Sequence, residues 1–95
     1  MSVVLNETLS NKFYSAPTIA IEVVAPSDLA EDVMEKIDFY LKNGSRLVWI
    51  ISQQTKTATV YRPDNTGNFL RATDTLDGEE VLPNLKVKLR EIFEV

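Results

Sequence analysis

The 95-residue chain contains no cysteine and no histidine. Without cysteine there is no disulfide, no thiolate metal site and no Cys nucleophile. Without histidine there is no Ser-His-Asp catalysis and no His-ligated zinc. Glycine (three) and proline (four) are few and scattered, so no linker, low-complexity tract or repeat stands out. No apolar run approaches the roughly 20 residues of a membrane span. Met1 to Leu5 is apolar, but Asn6 and Glu7 interrupt it and the first lysine is Lys12, which does not fit a secretory signal. A cytoplasmic location is the expectation. The chemistry left to such a chain relies on carboxylates, Lys, Tyr, Ser, Thr, or a metal held by oxygen ligands.

Fourteen acidic residues against ten basic ones give a net charge of -4, which argues against binding nucleic acid over the whole surface and leaves room for a local basic groove. The length allows one domain. Folding would bury roughly 60–65% of the unfolded surface, an adequate core without surplus.

Val3-Val4-Leu5 reads as a short strand, and Asn6 to Ser15 as a loop or poor helix. Thr18 to Ala25 is β-branched and almost wholly apolar on both of its faces, the pattern of a central strand in a sheet covered on both sides. Pro26 and Ser27 stop it. Ser27 or Asp28, with Glu31 completing a partial capping box, starts a helix from Asp28 to about Asn43. Its apolar stripe is Leu29, Val33, Ile37, Tyr40 and Leu41, and Asn43-Gly44 makes a good C-cap. Arg46 to Ser52 is a second apolar strand. Strand, helix and strand in this order form a βαβ unit with parallel strands. Thr57 to Arg62 pairs back as a hairpin, and Asn68 to Ala72 continues it. Thr75 to Glu79 reads as a turn, Glu80 to Pro83 and Leu85 to Val87 as extended pieces, and Leu89 to Phe93 as a helical turn. The fold class is α/β or α+β, a mixed sheet with one main helix.

Glu22 sits in the middle of the first apolar strand. A buried charge without a partner is costly, so this carboxylate is either functional or paired with a structural cation. The functional reading is a metal-binding or acid-base group near the C-terminal end of a parallel strand, where open α/β sheets bind ligands. Lys36 is a candidate partner. At about 100° per residue it lies about 60° from the centre of the apolar stripe, at the border of the buried face, from which it can snorkel along the sheet. Trp49 reads as core. Tyr61-Arg62 fits an alternating hairpin strand or a partner contact. Asp74, Asp77, Glu79 and Glu80 lack the spacing of a calcium loop and read as a solvated turn. Ser27 and Ser52 have no base to activate them.

Ala16 to Asp28 resembles the Glu-bearing strand and Pro-Ser-Asp turn of the Uma-two family of restriction endonucleases, which have the PD-(D/E)xK nuclease fold. Asp32 to Gly44 is similar to the family's Lys- and Tyr-bearing helix, and Arg46 to Ile51 to the strand that follows. Thr59 to Arg62, and Leu82 to Leu85 with Glu91 to Phe93, resemble its hairpin and its ending. The resemblance covers about residues 16–95, four linked segments in order. It implies a restriction-endonuclease-like domain over 16–95, preceded by an N-terminal arm over 1–15, with only the C-terminal half of the nuclease fold present.

In that fold an Asp on an upstream strand, a Glu on the next and the carbonyl after the Glu hold Mg2+, which activates water, while a Lys orients the water or stabilises the anion. Carried over, Glu22 matches the catalytic and metal-binding Glu, Val23 supplies the carbonyl, and Lys36 matches a lysine moved onto the helix. Val24 stands at the usual lysine position. Tyr40 either flanks the site or packs. The upstream Asp has no counterpart, because residues 1–15 contain neither Asp nor Pro and Pro17 is followed by Thr18. The expectation is an N-terminally truncated, catalytically degenerate nuclease-like protein. The alternatives are an Mg2+-dependent DNA endonuclease completed by another subunit or by a second polypeptide, and a small homodimeric interaction module. Loss of N-terminal strands would uncover sheet edges, so a homodimer that swaps the 1–15 arm is also expected.

Overall fold

A computed structural model describes the backbone of residues 2–5 and residues 16–93 in full. Its main sheet has five strands in the order β1 (Ser2–Leu5), β2 (Ile19–Val24), β3 (Leu47–Ser52), β4 (Thr57–Tyr61) and β5 (Gly67–Arg71). β2 and β3 are parallel and are joined by α1 (Ala30–Lys42); the other neighbours are antiparallel. A two-stranded sheet, β6 (Thr75–Asp77) with β7 (Lys86–Lys88), leads into the short helix α2 (Leu89–Phe93).

The apolar character of both faces of β2 and β3 has a structural cause. On one face Ile19, Leu47, Trp49 and Ile51 pack with Ala58 and Val60 against Leu76, Leu89 and Phe93 of the small sheet and α2. On the other, Ala20 and Val48 pack under Ile37 of α1, with Val33, Tyr40 and Leu41 around them. Period-two alternation therefore sends Ile19, Ile21 and Val23 to the first core and Ala20 to the second, on the side of Glu22. Trp49, 1% exposed, is core as its strand context predicts.

Several local expectations are corrected. The α1 helix starts at Ala30, with Leu29 as an extended N-cap residue that makes no side-chain cap. Asp28 spends its carboxylate on the preceding turn, accepting from the Ala25 N–H at 2.7 Å, so no capping box forms. Leu29 leaves the buried stripe and is 66% exposed, because it lies before the first helical turn. The C-terminal reading holds: the Asn43 N–H reaches the Phe39 and Tyr40 carbonyls, and Gly44 follows at φ 109, a left-handed backbone that glycine adopts without strain. Thr75–Asp77 is a strand, since Leu76 is fully buried and pairs across to Val87. Glu80 to Pro83 is turn, closed by the Val81 and Leu82 N–H groups on the Gly78 carbonyl.

The short strand read at Val3–Leu5 is present. Residues 2–5 of the expected arm form β1 and pair with β2 of the same chain, so the β2 edge is covered. Residues 6–15, including Phe13 and Tyr14, lie outside the described residues. Among the described residues no helix is long and apolar enough to cross a membrane.

Candidate functional site

Glu22 lies between Ile21 and Val23, both packed toward the first core, and turns its side chain toward α1. It is only 6% exposed. Two helix residues one turn apart meet it. Tyr40 donates its hydroxyl to Glu22 Oε1 at 2.7 Å, and Lys36 Nζ stands 3.9 Å from Oε2. The spacing of four between Lys36 and Tyr40 puts both on one edge of α1, directly over the carboxylate. Lys36 keeps most of its side chain in solvent, 61% exposed, with its ammonium leaning back to the strand. Burial, the hydrogen bond to Glu22 and the negative charge of Glu22 together push the Tyr40 phenol up to about 12.

These residues line a cleft of about 640 Å3 whose walls are Val23, Val24, Val33 and Phe39, with Asp28, Asp32 and Glu35 around it. Four acidic residues therefore line the cleft with one basic residue, Lys36. Phe39 is exposed and meets the Tyr40 ring edge-on, with centroids 6.0 Å apart. The cleft opens beside the C-terminal half of β2, the place the sequence assigned to a ligand.

The structure brings Glu22, Val23, Lys36 and Tyr40 into this one cleft. Among the described residues it brings no group of acidic side chains together beside Glu22 that could hold a metal ion. Antiparallel pairing of β1 with β2 sets Ser2 across from Glu22, so the strand upstream of the Glu presents Ser at this register position. Among the described residues no group of three Asp or Glu side chains is close enough to hold a metal ion. Mg2+ takes six oxygens in near-octahedral geometry, one or two of them from carboxylates that are free to bind and the rest largely from water. Glu22 offers one carboxylate, with Oε1 already accepting from Tyr40 and Oε2 facing Lys36. With both Glu22 oxygens engaged and no acidic cluster beside them, the donor set among the described residues does not fit Mg2+.

Two sets of charged residues resolve differently from their sequence reading. Arg62 follows β4 directly and makes a two-pronged ion pair with Glu79, Nε to Oε1 at 3.0 Å and Nη2 to Oε2 at 2.6 Å, while Nη2 also reaches Asn68 Oδ1 at 2.5 Å. Asp77 pairs with Lys86 at 2.7 Å. Glu79 and Asp77 are thus tied into the fold, and only part of that acidic turn is free in solvent. The sequence carried a weak signal for this, opposite charges on segments that a hairpin brings together. Ser52 accepts from the Thr55 N–H at 3.4 Å within its turn, a structural role.

Comparison with known proteins adds the lineage of this arrangement. The family model Uma2, described as "Putative restriction endonuclease", matches residues 1–90. A solved structure of a "putative nuclease belonging to DUF820" from Anabaena variabilis superposes with a TM-score of 0.74 at 23% identity, over 84% of this chain and 45% of that one. At that identity the likeness shows the fold. The chain spans about half the length of this neighbour. A comparison with curated protein sequences gave no match.

Proposed function

The chain belongs to the Uma2 family, and from that premise we propose that it is a restriction-endonuclease-like domain that does not cleave phosphodiesters on its own. Glu22 and Lys36 keep the places of a nuclease's catalytic carboxylate and lysine, and Val23 the place of the carbonyl ligand. The observation that carries this reading is the pairing of Ser2 with Glu22, which leaves the carboxylate without an acidic partner across the strand pair. The charge around the cleft supports it as well. Asp28, Asp32 and Glu35 line the cleft together with Glu22, and their field opposes the approach of a phosphate backbone toward the Lys36 ammonium.

The test is a cleavage assay on supercoiled plasmid DNA with Mg2+ or Mn2+. The 95-residue protein is expected to convert no more plasmid than its Glu22→Ala variant. Cleavage that disappears in both Glu22→Ala and Lys36→Met overturns the reading.

A second reading is supported by the length of the neighbour, of which this chain spans 45%. A further polypeptide, or a second copy of the chain in a homodimer, supplies the missing carboxylate, and the assembled site is a metal-dependent DNA nuclease. Light scattering at micromolar concentration discriminates the homodimer form: a monomer mass removes it. Cleavage restored by adding a candidate partner chain, and lost again with Glu22→Ala, establishes the two-chain form.

A further inference from the structure

The misfit between the cleft and a divalent ion points to what holds Glu22 in place instead. We propose that Lys36 is the resident cation of this cleft: its ammonium takes the position beside Glu22 that a divalent ion needs, so the carboxylate is satisfied without metal. The inference rests on the proposed reading of a nuclease site lacking its second carboxylate.

A carboxylate as buried as Glu22 has to be compensated. Tyr40 compensates one oxygen through a hydrogen bond at 2.7 Å, and its neutral phenol supplies a dipole without net charge. Among the described residues the charge is balanced by Lys36, 3.9 Å from the other oxygen. Other basic side chains are committed elsewhere, Lys42 to Asp38 and Arg62 to Glu79. Lys36 lines the same cleft as Glu22 and, from a largely exposed position, brings its ammonium to 3.9 Å from the carboxylate. A divalent ion at Glu22 would meet this ammonium at close range. With Glu22 as its one carboxylate ligand, it would draw its remaining oxygens from water and gain little charge compensation against the ammonium. In a site with a second carboxylate, one more negative charge would tip the balance toward metal. Here Lys36 is the one basic side chain among the described residues within ion-pair distance of Glu22.

Removing the ammonium should therefore create metal affinity that the wild-type protein lacks. Mn2+ serves as the probe, by isothermal titration and by paramagnetic broadening of the Val23 and Val24 amide resonances. The wild-type protein is expected to show no saturable binding at millimolar Mn2+ and no selective broadening at these amides. Lys36→Met, at an exposed position where the helix tolerates methionine, is expected to gain at least about tenfold in affinity, since a unit charge about 4 Å from a divalent ion is worth this much even at the dielectric constant of water. The gain should disappear in Lys36→Met combined with Glu22→Gln, and Lys36→Gln should reproduce it. Wild-type binding that is lost in Glu22→Gln overturns the inference. So does a Lys36→Met protein that binds no better than wild type, or one whose gain survives Glu22→Gln. Metal binding by the wild type without plasmid cleavage removes this inference alone, whereas plasmid cleavage by the wild type removes the reading beneath it.

Discussion

The Tyr40 hydroxyl and the Glu22 carboxylate meet at 2.7 Å, joining α1 to β2 across the mouth of the cleft. This contact gives a buried strand carboxylate a donor that does not depend on any bound ion. It also crosses from a local element to a distant one, eighteen residues apart in sequence.

Tyr40→Phe should test its strength. The substitution keeps the ring in the second core and deletes only the hydroxyl, leaving Glu22 with the ammonium of Lys36 alone. A hydrogen bond to a charged acceptor is worth about 1.5 kcal/mol or somewhat more, and urea denaturation is expected to show a loss of that size. An unchanged midpoint would mean that the hydroxyl is replaced by water at no cost.

The same phenol makes stability sensitive to alkaline pH. Its pKa in the folded protein, about 12, lies above the usual 10.0. The unfolded chain therefore loses this proton first, and the folded state holds it longer. The stabilisation is complete below about pH 10 and is lost as pH rises through about 12. Urea midpoints across that window should fall more steeply for wild type than for Tyr40→Phe. Phenolate absorbance should show one fewer late-titrating tyrosine in the variant. Equal slopes would remove the assignment.

The Arg62–Glu79 pair couples the end of β4 to the turn before β7. Both side chains are about a quarter to a third exposed, and the pair is two-pronged, 3.0 and 2.6 Å, which favours a measurable contribution. A double-mutant cycle of Arg62→Met and Glu79→Gln is expected to give a coupling of about 1 kcal/mol, diminishing as salt is raised. A coupling indistinguishable from zero would place these residues with ordinary surface charges.

Where the sequence could be read and where it could not follows from the range of the forces involved. Two-faced apolar β2 and β3, the helix between them and its Asn43-Gly44 end were legible, because burial period and backbone freedom act within a few residues. The helix start was misjudged because two plausible caps, Ser27 and Asp28, competed with the turn that finally took Asp28. Thr75–Asp77 reads locally as a turn because its strand character comes from Lys86–Lys88 across the pair, with Leu76 sealed into a core that no local window shows. Around the site, Glu22 and Lys36 stood out by type and by helical angle. Tyr40 remained undecided between site and packing, since only the height of α1 above β2 settles whether its hydroxyl reaches the carboxylate.

The amino-acid sequence by itself determined that no thiol or imidazole chemistry is available, that an apolar strand carries one carboxylate, and that residues 1–15 offer no Asp to join it. These are facts of composition and period and need no partner segment. Only the tertiary structure decided that the first strand lies against β2 with Ser2 across from Glu22, and that one helix edge delivers both Tyr40 and Lys36 to the carboxylate. Register and helix height are set by packing between distant segments, and these distances turn an unusual buried charge into a compensated one.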